Sequence, residues 1–143
     1  MLFRSAAQLQ KQGYKIVCVG KSCDNKTACD IDLRNKTTTH QLAHVIKNAK
    51  MFIGIDSFPM HIAQTFDIPG VCFFGAINPE SRLISKNIIP VYAKTLSCLG
   101  CHHRQPAPCI STVRCETQFL DCINLVTVQQ MMDAIQEVLK SLS

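Results

Sequence analysis

The 143-residue chain lacks the features that mark a membrane or exported protein. No apolar run approaches the roughly 20 residues that a membrane-spanning helix needs. The first residues, Met1 to Ser5, also lack the long apolar core of a signal peptide. These absences predict a cytoplasmic protein with no transmembrane segment.

Runs of like charge are missing as well. The net charge is +5, but Lys and Arg are spread along the chain rather than clustered. A nucleic-acid-binding surface would more often combine a basic cluster with interleaved aromatic residues. We therefore expect no nucleic-acid partner, although the positive charge is compatible with a small anionic ligand.

What the chain does contain is an alternation of short apolar runs and helical patterns. With 47% hydrophobic and 17% charged residues, its composition is that of one globular domain, which we take to span residues 1–143. The alternation predicts an α/β fold, a Rossmann-like parallel sheet with helices on both faces. The predicted helices are 3–12, one capped by Thr39 and one capped by Thr127, and the predicted strands are 14–19, 31–33, 51–55, 70–74 and 88–92.

One strand–helix junction concentrates polar residues. The apolar run from Met51 to Ile55 is followed directly by Asp56 and Ser57, which both favour the N-cap position of a helix. Pro59 suits the first helical turn, and His61 lies one turn into the helix. In an open α/β sheet ligands bind at such junctions, and a helix N-terminus suits a phosphate group.

The same junction carries a resemblance to a known family. The residues 56–61 read Asp-Ser-Phe-Pro-Met-His, with Ile-Ala after them and Phe-Phe-Gly at 73–75. This pattern resembles the donor-site signature of glycosyltransferase family 9, which includes the ADP-heptose lipopolysaccharide heptosyltransferases. The usual pattern is Asp-Ser/Thr-Gly-Pro-Met-His, so Phe58 stands where the family has glycine. That departure leaves the identity of the sugar nucleotide open.

The resemblance implies the donor-binding, C-terminal half of a two-domain GT-B enzyme. It implies an inverting glycosyl transfer from ADP-heptose or a related nucleotide-diphosphate sugar to a glycan or protein acceptor. The donor-binding residues would be Asp56, Ser57, Phe58, Pro59, Met60, His61 and Gly75. In the family the general base lies in the N-terminal acceptor domain, so no catalytic residue is assigned here. We expect a fragment that binds the donor without turnover.

A cysteine-rich stretch, 98–122, interrupts the helical and strand patterns. The chain has nine cysteines, and a Cys-x-x-Cys pair at Cys98 and Cys101 is followed by Cys109, Cys115 and Cys122. Four sulfur ligands suit zinc or iron, and nearby His102 and His103 could compete as ligands. The stretch is similar to the iron finger of the autotransporter heptosyltransferases. On that basis the predicted structural metal site is Cys98, Cys101, Cys115 and Cys122, with Cys109 as a spare and metal-free thiols as the alternative.

Two other functions compete with donor binding. In the first, the four-cysteine group forms a metal-stabilised binding module without catalytic activity, and the α/β part is only a scaffold. No Phe, Tyr or Trp lies between Cys98 and Cys115, which disfavours a nucleic-acid-binding zinc knuckle. In the second, the chain is another sugar-nucleotide enzyme such as an epimerase, against which the Pro-Met-His pattern argues by resemblance.

Overall fold

A computed structural model describes residues 2–21, 29–101 and 120–142. Within these ranges no helix is both long enough and apolar enough to cross a membrane. Helices and strands alternate along the chain, as the sequence predicts. The elements are α1 (Leu2–Lys11), β1 (Val17–Cys18), β2 (Ile31–Asp32), α2 (Thr39–Lys47), β3 (Phe52–Ile55), α3 (Phe58–Thr65), β4 (Gly70–Phe73), a 3-10 turn (Pro79–Ser81), β5 (Ile88–Val91), α4 (Asp121–Asn124) and α5 (Val128–Ser141).

All the strand pairs described are parallel. β3, β4 and β5 form a three-stranded sheet in that order, with Ile55 opposite Phe73 and Phe73 opposite Val91. β1 and β2 form a separate two-stranded ladder. β5 ends the order of its sheet, the edge position that Pro90 predicts because proline cannot donate a hydrogen bond to a neighbouring strand.

β1 is much shorter than the predicted strand 14–19. The Ile16 amide donates to the Asp30 carboxylate over 2.6 Å instead of to a carbonyl of β2. The Ile16 carbonyl accepts from the amides of both Asp30 and Ile31. A side chain therefore replaces one rung of the ladder, and regular pairing covers only Val17 and Cys18.

Helices cover both faces of the three-stranded sheet. Successive residues of β4 point to opposite sides: Val71 lies in a core formed with α1 and α5, whereas Cys72 lies in a core formed with α2 and α3. The second core includes Met60, Ala63 and Phe74, all without exposed surface. The predicted fold class is confirmed, since a parallel sheet with helices on both faces is what the structure contains.

Local backbone signals are mostly placed correctly. Thr127 caps α5 as predicted, and its side chain accepts from the Gln130 amide. The predicted cap of α2 is wrong by one residue: Thr38, not Thr39, holds that position, because its side chain accepts from the Gln41 amide three residues on.

Candidate functional site

Two polar loops meet at the carboxyl edge of the sheet. β3 ends at Ile55, and Asp56 and Ser57 lead from it into α3. β4 ends at Phe73, which is the register partner of Ile55, so Gly75 lies at the same edge. The structure therefore brings together the two segments that the sequence assigns to donor binding.

The N-terminus of α3 is not capped by a side chain. Ser57 occupies the N-cap position, with φ −160° and ψ 172°, and Pro59 lies in the first turn. The Ser57 hydroxyl, however, donates to the Ile55 carbonyl over 3.2 Å and makes no bond to the helix. The sequence placed Ser57 correctly but not its hydrogen bond. The first turn keeps its partial positive charge available to an anion.

The Asp56 carboxylate lies between two basic side chains. It is only 12% exposed, with Oδ1 3.8 Å from His61 Nε2 and Oδ2 3.5 Å from Arg82 Nε. Sequence reasoning identified Asp56 and His61 but missed Arg82. Arg82 follows the 3-10 turn, well outside the motif, and no local pattern marks it. The result is a cluster of one acidic and two basic groups beside the N-terminus of α3.

Gln64 joins this cluster from the next turn of α3. Its Nε2 lies 3.4 Å from His61 Nδ1 and donates to the Arg82 carbonyl over 3.2 Å. If Nε2 donates to Nδ1, the proton of a neutral His61 is on Nε2, the nitrogen that faces Asp56. A cleft of about 410 Å³ opens along this flank of α3, lined by His61, Gln64, Thr65, Asp67, Ile84 and Ser85.

The remaining motif residues differ in exposure. Phe58 is 55% exposed at the first position of α3, where the family pattern has glycine. Met60 has no exposed surface, and its sulfur lies 3.2 Å from Cys72 Sγ. Burial, and secondarily the nearby Asp56 carboxylate, raise the pKa of the Cys72 thiol, which keeps it neutral. Met60 and Cys72 pack together in the core that α3 covers. Met60 would therefore affect a bound ligand only through the position of α3.

The loop that follows β4, residues 75–78, lies against the cysteine-rich stretch. A Cβ placed on Gly75 would lie 4.0 Å from Cys122 Sγ. Cys101 packs against Ala76, and a Cβ placed on Gly100 would lie 3.5 Å from Asn78 Cβ. Cys101 and Cys122, two of the predicted metal ligands, therefore lie beside the loop that contains Gly75.

The four-cysteine site itself is only partly within the described chain. Cys98, Cys101 and Cys122 are buried. Among the described residues no group of three His, Cys, Asp or Glu side chains could hold a metal ion. The fourth predicted ligand, Cys115, lies outside the described residues, as do Cys109, His102 and His103. The three buried cysteines have suitable donor atoms, but they form no ligand set by themselves.

Comparison with known proteins identifies the family. Residues 4–117 match the family model for glycosyltransferase family 9 (heptosyltransferase). The chain belongs to glycosyltransferase family 9. The resemblance to family 9 that residues 56–61 indicate is thereby confirmed, whereas the likeness of the cysteine-rich stretch to an iron finger stays a prediction.

Curated relatives of this family 9 chain are longer proteins. It is 34% identical over 98 residues to lipopolysaccharide heptosyltransferase 3 of Escherichia coli (strain K12), an alignment that covers 59% of this chain and 28% of the relative. A second Escherichia coli lipopolysaccharide heptosyltransferase 3 is 31% identical over 98 residues, and 29% of it is covered. The chain thus spans less than a third of these relatives.

Solved structures show the same fold over nearly the whole family 9 chain. The dodecameric iron-containing heptosyltransferase TibC, in complex with ADP-D-beta-D-heptose, matches with a TM-score of 0.78 at 20% identity, covering 99% of this chain and 40% of TibC. TibC comes from enterotoxigenic E. coli H10407. The E. coli ADP-heptose lipopolysaccharide heptosyltransferase II matches with a TM-score of 0.69 at 19% identity, covering 98% of this chain and 40% of that one.

Proposed function

We propose that this family 9 domain binds a nucleotide-diphosphate sugar at the N-terminus of α3. The observation that carries the proposal is the uncapped first turn of α3, which lies beside Asp56, His61 and Arg82 at the carboxyl edge of the sheet. The partial positive charge at the N-terminus of α3 and the nearby Arg82 cation suit a diphosphate. The donor class, ADP-heptose or a related nucleotide sugar, is supported by the ADP-D-beta-D-heptose bound to TibC, which shares the fold.

The site residues have distinct proposed roles. Ser57 and the backbone after it contact the diphosphate, and His61 donates a hydrogen bond toward it or braces the loop. Asp56 orders the junction or contacts the donor. Such groups would stabilise the negative charge that develops on the departing nucleotide. Phe58, exposed at the first position of α3, narrows the approach to the backbone there, and Gly75 contributes from the loop after β4, at the same edge of the sheet.

The reaction proposed for the whole protein is an inverting transfer of the sugar to a glycan or protein acceptor in the cytoplasm. The chain spans 40% of the solved heptosyltransferases that it matches. We assign no general base to it and propose that the base and the acceptor site belong to an N-terminal domain. This chain by itself should bind donor but transfer no sugar, and sugar transfer by it would contradict the proposal.

We also propose a structural zinc or iron ion held by Cys98, Cys101, Cys115 and Cys122. Supporting this, Cys101 and Cys122 border the 75–78 loop, and TibC is an iron-containing structural neighbour. The ion would supply a cross-link between these segments, and its binding energy would contribute to their folding. Metal analysis of anaerobically purified protein tests this: about one zinc or iron per chain supports it, and neither metal rejects it.

Calorimetric titration with ADP-, UDP- and GDP-sugars tests the donor site. The wild-type chain should bind one of them, and an Asp56→Asn, His61→Ala double variant that unfolds at the same temperature should not. Equal affinity of the two proteins would reject the site. If the metal-loaded, folded wild-type chain binds none of the donors, the alternative of a four-cysteine binding module gains support.

A further inference from the structure

Arg82 has an unusual environment for a surface arginine. Its Nε is buried and has no hydrogen-bond partner among the described residues. The nearest acidic atom, Asp56 Oδ2, is 3.5 Å away, which is beyond a good charge-assisted hydrogen bond. The side chain as a whole is 38% exposed, so the guanidinium is partly buried beside Asp56 and partly open to solvent. A buried N–H group without a partner is costly, and a ligand oxygen could satisfy it.

The Gln64 side chain connects the backbone around Arg82 to α3. Gln64 Nε2 donates to the Arg82 carbonyl over 3.2 Å. Gln64 Oε1 accepts from the amides of Ile84 and Ser85 over 2.6 Å and 3.2 Å. The Ser85 hydroxyl also donates to Asp67 over 2.7 Å. The segment 82–85, which has no regular structure of its own, is thus tied to the helix whose N-terminus forms the proposed donor site.

Charge explains why such a tie would matter. A diphosphate that approached the first turn of α3 would be repelled by the nearby Asp56 carboxylate. Arg82 Nε lies 3.5 Å from one carboxylate oxygen and offsets that charge, and His61 lies beside the other oxygen. Arginine is also well suited to phosphate, since its planar fork can donate two hydrogen bonds at once. Arg82 is charged at every ordinary pH.

We infer that Arg82 is a direct ligand of the donor diphosphate and that Gln64 is the positioning residue that holds Arg82 in place. This inference rests on the proposed donor site and adds two residues, 18 positions apart, that lie outside the sequence motif. Gln64 makes no contact with the ligand and acts through the backbone of segment 82–85.

The test compares a nucleotide-diphosphate sugar with the corresponding nucleoside, which lacks the diphosphate. Calorimetry measures the affinity of the nucleotide-diphosphate sugar that the wild-type chain binds best and of the corresponding nucleoside. Arg82→Ala should weaken binding of the nucleotide sugar about tenfold and leave the nucleoside unchanged, because a charged hydrogen bond is lost. Gln64→Ala should give a smaller loss, roughly threefold, with the same selectivity.

Matched controls remove the same side chains elsewhere. Arg4→Ala removes an exposed arginine of α1, and Gln129→Ala removes an exposed glutamine of α5. Neither should change either affinity. If Arg82→Ala does not fold, Arg82→Gln keeps the side-chain length without the charge, and it should show the same selective loss.

The outcomes separate this inference from the proposed function. If the wild-type chain binds no nucleotide sugar, the donor site is wrong and the inference falls with it. If the wild-type chain binds and Arg82→Ala matches Arg4→Ala, only the inference is overturned. Equal weakening of nucleotide sugar and nucleoside would also overturn it, because that result would indicate a general structural role.

Discussion

The N-termini of α2 and α5 differ sharply from that of α3. In α2 and α5 the N-cap threonine side chain accepts from the backbone amide three residues on. The glutamine at that position in turn accepts from the threonine backbone amide through its side-chain oxygen. At α3 the hydroxyl of Ser57 instead bonds to the carbonyl of Ile55, outside the helix. In α2 and α5 a side chain satisfies an N-terminal amide, whereas no side chain caps α3.

The difference separates stability from binding. The capping boxes of α2 and α5 stabilise the fold, and none of the predicted donor-binding residues belongs to them. α3 lacks this side-chain cap, and its N-terminus lies beside Asp56, His61 and Arg82. The comparison therefore supports the proposed site, and the predictions below alter one side of it at a time.

The largest expected effect comes from giving α3 the cap that it lacks. Ser57→Asp should place an acceptor and a negative charge at the first turn, which the backbone conformation at Ser57 permits. The free energy of unfolding should stay the same or rise by up to about 1 kcal/mol. Donor affinity measured by calorimetry should fall at least about tenfold, because the carboxylate occupies the anion site. Unchanged affinity would show that this turn is not the anion site.

The converse substitutions remove caps from the other helices. Thr127→Ala and Thr38→Ala should each lower the free energy of unfolding by about 1 kcal/mol, since each loses a capping box. Denaturant titration measures this loss, and calorimetry should show unchanged donor affinity. A loss of affinity in either variant, with the protein still folded, would mean that binding does not depend on α3 alone.

Ser57→Ala should affect donor binding less than Ser57→Asp does, and stability less than Thr38→Ala or Thr127→Ala does. Because the Ser57 hydroxyl does not cap α3, the free energy of unfolding should change by less than about 0.5 kcal/mol. Loss of one hydrogen bond to the donor should still weaken binding about threefold. A destabilisation as large as that of Thr127→Ala would show that Ser57 caps α3 in solution.

The smallest effect concerns Asp30, whose side chain takes the place of a strand partner for Ile16. The hydrogen bond from the Ile16 amide, followed by that from Gln10, lowers the pKa of Asp30. Because the pKa of Asp30 is lower in the folded state, the ionised Asp30 stabilises the fold at pH values above its unfolded pKa of about 4. This contribution is lost as the pH falls from there through the folded pKa.

Asp30→Asn should therefore lower the melting temperature slightly at pH 7, and the difference from wild type should shrink on acidification below about pH 4. Thermal unfolding across pH measures both. Gln129→Ala serves as the control, because it removes an exposed hydrogen bond between Gln129 and Asp133 within α5. A difference that stayed constant with pH would contradict the assignment of the effect to the Asp30 carboxylate.

Sequence patterns predicted features that depend on neighbouring residues. Pro59 in the first turn of α3 and Thr127 as a cap both follow from local preferences. The fold class follows from the same alternation of short patterns. Ser57 shows the limit of local reasoning, because a residue that favours the cap position bonds elsewhere.

Features that depend on distant residues were missed or stay predictions. Arg82 meets Asp56, and Gln64 meets segment 82–85, only because β4 and the loop after it fold back beside α3. No period or motif in one chain encodes such contacts. β1 is short for a similar reason, since Asp30 reaches back across 14 positions to Ile16. The four-cysteine site likewise needs side chains that spacing alone does not bring together.

Amide chemical-shift mapping tests the central claim most directly. A ¹⁵N-labelled sample of this 15.9 kDa chain is titrated with the nucleotide-diphosphate sugar that it binds best among ADP, UDP and GDP forms. We predict that the largest shifts fall on the amides of Ser57, Phe58, Met60 and His61, with smaller ones at 75–78 and 82–85. The largest shifts at the N-termini of α2 or α5, or no shifts at all in the folded chain, would contradict the assignment of the donor site to α3.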